Sequence, residues 1–218
     1  MDRLSLGRMQ NPVRGMLHGL AAIISVIGLI VLATAVVGEM LISSVVYGLS
    51  LIALYATSAL YHSVPWRAQW KDRFQRLDHT LIYVLVAATM TPLMIGLRDG
   101  VMVEVGLASI WAFVASGACR EIWPRLRRWW WLGVQMGIGA IALVPLTITL
   151  VRMDYSVLGL TLGGGAVYLV GVVMFVNSRP RLLPGVFSHH ELFHVLVVLA
   201  SLSHYLAVWE VATGSPAI

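Results

Sequence analysis

Charge is what this sequence has least of. Asp, Glu, Lys and Arg make up 11% of its 218 residues, against roughly a quarter in a soluble domain. Acidic side chains number only ten, and there is a single cysteine. Cys119, standing alone, excludes an internal disulfide and any cysteine-rich metal cluster, so a metal here must be held by His, Asp or Glu. No glycine-rich phosphate loop follows a strand pattern, and neither an internal repeat nor a low-complexity tract is present. Nucleotide chemistry and repeat architectures therefore have no support.

What fills the chain instead is apolar: 59% of the residues are hydrophobic. A helix needs about 20 apolar residues to cross a hydrocarbon core of roughly 30 Å, and seven runs meet that requirement, at approximately 17–37, 40–62, 79–97, 101–119, 129–151, 155–176 and 189–209. The expected fold is an all-α integral membrane protein, a single seven-helix transmembrane domain over 1–218 with no room for a separate soluble unit. The first run could pass for a signal peptide, since basic residues precede it and Ala33-Thr34-Ala35 imitates a cleavage site. It continues to Val37, longer than a signal core of 7–15 residues, and reads better as a retained span.

The net charge of +5 raises nucleic acid as a partner. The placement of the charges argues otherwise. Thirteen of the fifteen Lys and Arg residues fall in the N-terminal tail (Arg3, Arg8, Arg14) and in every second loop (Arg67 to Arg76, Arg120 to Arg128, Arg179 and Arg181); Arg98 and Arg152 alone fall opposite. Such asymmetry sets orientation, with basic loops on the cytoplasmic side. The N-terminus is then cytoplasmic, the C-terminus outside, and no nucleic-acid partner is expected. Trp123 and Trp129-Trp130-Trp131 read as headgroup-level anchors. Trp66, Trp70 and Phe74, with Arg67, Lys71 and Arg73 between them, read as a short interfacial helix in the loop before the third span. Gly133-x-x-x-Gly137 and Gly159-x-x-x-Gly163, extended by Gly164 and Gly165, read as faces for close helix approach, and Pro92 and Pro145 as tolerated kinks.

Ionisable groups within spans cost several kcal/mol and default to a functional reading. His62 ends span two, Asp78 and His79 open span three, His189, His190 and His194 open span seven, and His18 opens span one. The orientation above puts all these ends on the cytoplasmic side. His190 and His194, four apart, stack on one helical face and can chelate one metal. His62 supplies a third nitrogen, leaving a fourth tetrahedral position open, as in catalytic zinc sites. Imidazole donors favour zinc over calcium or magnesium. Asp78 is the candidate general base for a water that zinc activates. Ser58, one turn deeper than His62 on the same face, could hydrogen-bond the water, the base or a substrate carbonyl, or simply back-bond to its own helix. His18, His79 and His189 read as interfacial residues satisfied by water or headgroups, with His18 kept as a secondary candidate. His204, ten residues beyond His194, reads as structural or cavity-lining.

His190-Glu191-Leu192-Phe193-His194 also spells H-E-x-x-H, the metalloprotease motif in which the glutamate is the base. An intramembrane protease would be expected to add a carboxylate ligand from a later segment. After His194 the chain has only Glu210, near the opposite face, so Glu191 is a secondary candidate.

Ser58-x-x-x-His62, Asp78 and the segment from Ser188 through His190-x-x-x-His194 into Val195-Leu196-Val197-Val198 together resemble the signature of the hemolysin III and progestin/adipoQ receptor family, in its short bacterial hemolysin III branch. The resemblance covers essentially the whole chain, including the Asn11-to-Gly19 entry with His18. It implies seven spans, a cytoplasmic N-terminus, a multi-pass location in the bacterial cytoplasmic membrane, zinc held by three histidines (here His62, His190 and His194) and an aspartate (here Asp78) contacting the zinc water. The family includes the adiponectin receptors and is grouped with alkaline ceramidases. It tolerates a non-acidic residue between the paired histidines, which argues against Glu191 as an obligatory base. The long N-terminal region of the eukaryotic receptors is lacking, so hormone binding does not carry over. The leading expectation is a zinc-dependent hydrolase of a lipid amide or ester, binding membrane lipid or a fatty acyl chain and serving membrane-lipid homeostasis. The alternatives are a non-enzymatic, receptor-like regulator with structural zinc, and a pore or transporter.

Overall fold

The structure is a computed structural model that describes residues 11–96, 100–122, 137–138, 141, 144–183 and 186–214. It is all-helical. In chain order the helices are α1 (Pro12–Ala35), α2 (Gly38–Ser63), α3 (Ala68–Ile95), α4 (Gly100–Ile122), α5 (144–152), α6 (Tyr155–Val176) and α7 (His189–Thr213). Among the described residues, α1, α2, α3, α4, α6 and α7 are long and apolar enough to cross a membrane. Most of the expected fifth span, including Trp129, Trp130, Trp131 and Gly133, lies outside the described residues, as do Trp123 and the basic residues Arg3, Arg8, Arg98, Arg125, Arg127 and Arg128.

Local sequence explains where the helices start and stop. Pro12 occupies the first turn of α1, where its missing N–H costs nothing. Gly38 takes a positive φ of 64° in the short turn that reverses the chain into α2. Val64 is extended before Pro65, as a residue preceding proline prefers, and α2 stops there. α7 opens on a capping box, in which the Glu191 carboxylate accepts the Ser188 N–H at 2.8 Å, and ends on Gly214 at φ 65°.

One boundary overturns the expectation. The interfacial helix expected around Trp66, Trp70 and Phe74 and the span expected from residue 79 are a single helix of 28 residues, α3. No glycine or proline interrupts Ala68 to Leu81, so the helix has no reason to break where polarity changes. At 1.5 Å per residue α3 is about 42 Å long, more than a hydrocarbon core is thick. Its first turns are mostly exposed; there Trp66 stacks on Phe74 at 4.2 Å and Arg73 lies over the Trp70 ring at 4.9 Å.

α1 packs against α2 and α7, α2 against α3, α3 against α4 and α7, and α6 against α7. The buried centre mixes aromatic, aliphatic and small residues: Tyr47, Leu51, Tyr55, Leu32, Leu93, Ala207 and Val208. Bulky apolar residues such as Ile23, Ile27, Ile30, Leu162, Leu169 and Leu202 are exposed, an arrangement suited to a lipid surrounding in which side chains need no burial from water. Tyr205 donates its hydroxyl to the Gly28 carbonyl at 2.9 Å, tying α7 to α1. Among the described residues, a Cβ on Gly137, Gly159, Gly163 or Gly165 would meet nothing within 4 Å, and of the run from Gly159 to Gly165 only Gly164 is pressed, by the His204 ring. The close approach lies instead between α1 and α2, where a Cβ on Gly48 would sit 2.6 Å from Leu29 Cδ1 and 2.9 Å from its Cβ.

These two environments predict opposite responses to the same change. Gly48→Ala should destabilise the protein by about 1–3 kcal/mol through overpacking, whereas Gly159→Ala should be neutral or stabilising by up to about 1 kcal/mol from helix propensity. Thermal unfolding in detergent, comparing both variants with the parent, measures the difference.

Candidate metal centre

Three histidines from two helices converge. His62 comes from the last turn of α2, His190 and His194 from successive turns at the start of α7, and their available nitrogens all lie within 4.8 Å of one another. The α7 pair is stacked, with ring centroids 5.0 Å apart and planes only 6° from parallel, as side chains one helical turn apart on one face should be. His62 meets both at right angles, 5.6 Å from His190 and 4.8 Å from His194 by centroid. The spacing expected from i and i+4 and the third donor from α2 are thus brought together.

His18 is the member whose part the sequence understated. It is buried on α1 rather than left to water or headgroups. Its Nε2 lies 2.8 Å from His194 Nδ1. If His194 offers its Nε2 lone pair to a metal, Nδ1 must carry the proton and donate to His18, which fixes tautomer and ring orientation as partners of metal-bound histidines do. His194 Nε2 is buried and has no hydrogen-bond partner among the described residues. An orphaned imidazole nitrogen in an apolar interior costs several kcal/mol unless something binds it, and three imidazole donors suit a transition-metal ion. The residues present fit a bound metal ion.

Arg14 was counted in the sequence only as an orientation charge. In the structure it is buried, with Nε 2.7 Å and Nη2 2.6 Å from Glu191 Oε1. The signal available in the sequence is its spacing: Arg14 and His18 are four apart on α1 and face the same region of α7. Glu191 has both oxygens committed, Oε1 to Arg14 and Oε2 to the Ser188 N–H. It locks the first turn of α7 onto α1, a structural task at odds with the base of an H-E-x-x-H protease. The Asn11 N–H donates to the His62 carbonyl at 3.1 Å, seating the start of α1 on the end of α2.

Asp78 and Ser58 stand beside the cluster rather than within it. Ser58 is buried and makes none of the back-bonds to its own helix that Ser50 makes to Tyr47; it lies beside Asp78. Asp78 Oδ1 is buried with no hydrogen-bond partner among the described residues. Both line a cavity of about 270 Å³ together with His18 and His194, and the same cavity runs on to His204. Of the remaining histidines, His79 is exposed on α3 and His189 pairs with the Ser188 hydroxyl at 3.1 Å.

The purified protein should carry one transition-metal ion per chain and lose it in His62→Ala. Removing the orienting partner in His18→Leu should weaken metal affinity by about 10–100-fold without abolishing it. Metal analysis and competition with a chelator read both, and undiminished metal content in His62→Ala would remove that residue as a ligand.

The pattern of the family described as haemolysin-III related matches residues 7–205, which span every helix that carries the cluster. Among individual proteins, the chain is 28% identical over 200 residues to the hemolysin-3 homolog of Bacillus subtilis, covering 88% of this chain and 89% of that one. It is 29% identical over 217 residues to hemolysin-3 of Bacillus cereus, covering 95% and 94%. It is also 26% identical over 185 residues to the human monocyte to macrophage differentiation factor, covering 80% and 72%. With the family pattern matched over nearly its whole length, the chain belongs to the haemolysin-III-related family of multi-pass membrane proteins.

Proposed function

We propose that the protein is a zinc-dependent hydrolase that cleaves an amide or ester of a membrane lipid at the cytoplasmic side of the bacterial inner membrane. The observation that carries this reading is the shared cavity: His194, Asp78 and Ser58 line a space whose walls include the apolar side chains of Leu54, Ile82, Leu85, Val86, Phe193 and Val197. Polar groups set beside apolar walls suit a substrate with one reactive carbonyl and a long hydrocarbon tail. The one-sided distribution of Lys and Arg supports the cytoplasmic placement.

Zinc, when bound, supplies Lewis acidity toward the carbonyl and toward water. His62, His190 and His194 hold it, and His18 keeps the His194 ring in the tautomer that leaves Nε2 free to bind. Asp78 takes a proton from water as the water oxygen attacks the carbonyl carbon, then returns it to the departing amine or alcohol as the C–N or C–O bond breaks. Ser58 orients the Asp78 carboxylate. The apolar walls hold the chain and exclude bulk water, which strengthens each polar contact at the carbonyl. The products are a fatty acid and a free amine or alcohol.

A second reading, a receptor-like regulator in which the metal is a clamp, is favoured by the position of the ligands at the joint between α2 and α7, with α1 alongside. A pore draws on the printed names of the Bacillus relatives; among the described residues no ring of like charges lines the cavity.

Asp78→Asn should lower fatty-acid release from ceramide-like substrates by at least about 100-fold while metal content stays at the parent level, and unchanged turnover would eliminate Asp78 as the base. Glu191→Gln should behave in the opposite manner. It should retain turnover per folded molecule but lower stability by about 3 kcal/mol, because Arg14 is left as a buried charge without its carboxylate. If the metal-loaded parent releases no fatty acid, and chelation lowers its melting temperature steeply, the clamp reading takes the place of the hydrolase.

A further inference from the structure

The cavity has a second polar end that the proposed hydrolysis leaves unused. α7 presents His190, His194, Val197, Ser201 and His204 at steps of four, three, four and three residues, one stripe along one face. His204 lies ten residues beyond His194, about 15 Å along the helix axis, and borders the same cavity together with Thr89, Thr161 and Ser201. An ionisable ring at that depth in an apolar span is costly and asks for a reason.

Its hydrogen bonding is unusually informative. His204 Nε2 lies 3.1 Å from the Thr161 carbonyl oxygen. A carbonyl only accepts, so Nε2 carries the proton, and in the neutral imidazole Nδ1 is then an acceptor. Nδ1 has no hydrogen-bond partner among the described residues. The ring is held in place sterically as well, since a Cβ on Gly164 would fall 2.6 Å from its Cδ2 and Nε2. Tying α6 to α7 does not require it, because the adjacent Ser203 already donates to the Leu160 carbonyl at 2.7 Å. Of the nearby hydroxyls, Thr89 donates to the Leu85 carbonyl at 2.7 Å and Thr161 points at Met153 Sδ at 3.9 Å, while the Ser201 hydroxyl lies beside Tyr55. His204 Nδ1 is thus an acceptor at this end of the cavity.

An uncommitted acceptor selects a donor. We infer that the cavity is built for an acyl chain carrying a hydroxyl roughly a dozen bonds from its carbonyl carbon, the distance that about 15 Å of extended chain spans, with His204 Nδ1 accepting the O–H. His204 is then a specificity-determining residue. A keto group at the same place would set a second acceptor against His204 Nδ1. The inference rests on the proposed placement of the substrate carbonyl beside His194 and Asp78.

The test is equilibrium binding of four free acids to the metal-loaded, full-length protein in detergent: octadecanoic, 12-hydroxyoctadecanoic, 12-oxooctadecanoic and 6-hydroxyoctadecanoic acid. The 12-hydroxy acid should bind about three- to tenfold tighter than octadecanoic acid, the gain of one net hydrogen bond, and the 12-oxo and 6-hydroxy acids should show no such gain. In His204→Phe, which fills the space without the acceptor, the preference should vanish while octadecanoic acid still binds. Should that variant fail to fold, the series on the parent protein decides alone. Equal binding of octadecanoic and 12-hydroxy acids, or an equal gain for the 6-hydroxy acid, would overturn the hydroxyl subsite and leave chain binding standing. If none of the four acids binds, the acyl-chain reading of the cavity fails and takes this inference with it.

Discussion

A carboxylate set between two histidines at the first turn of an apolar helix must be neutralised, and Arg14 of α1 does so. Two of its guanidinium nitrogens lie within hydrogen-bonding distance of Glu191 Oε1, and the other carboxylate oxygen closes the capping box of α7. Burying either charge alone would cost several kcal/mol. Each therefore obliges the other to stay, and the first turns of α1 and α7 are held together. One turn along α1 from Arg14, His18 lies 2.8 Å from His194 Nδ1. The three-histidine cluster thus sits beside an ion pair that contains none of its members.

Much of this was readable from residue order. Composition and run length are enough to reveal a helical membrane protein, because lipid tolerates few alternatives to long apolar helices. The i and i+4 spacing of His190 and His194 fixes their common face whatever surrounds them, and His62 at the end of α2 needed only a shared depth. Asp78, named from its depth, and Ser58, named from its place one turn before His62 on the same face, line the cavity beside the cluster.

The remainder depended on partners distant in sequence. Arg14 looks like one more basic residue in a tail that sets orientation, and nothing local says that it reaches a carboxylate 177 positions away. His18 resembles any interfacial histidine until α7 is packed beside it. The boundary of α3 was misplaced for a different reason: hydropathy marks where a helix enters lipid, whereas the backbone continues for as long as no residue breaks it. The glycine run on α6 shows the same limit. Small residues permit close approach, but the bulk that faces them decides, and only the His204 ring takes up the offer.

The continuity of α3 bears on how the centre is organised. Asp78, Ile82, Leu85 and Thr89 all line the cavity and recur at steps of four, three and four, so they form one stripe on one unbroken helix. In the proposed hydrolysis the proton acceptor and the wall for the hydrocarbon therefore have a common phase. Turning α3 by a single residue would swing its stripe by about 100°, carrying carboxylate and chain-binding surface out of register together. Chemistry and fit to the chain are in this respect one variable, set by the angle of a single rod.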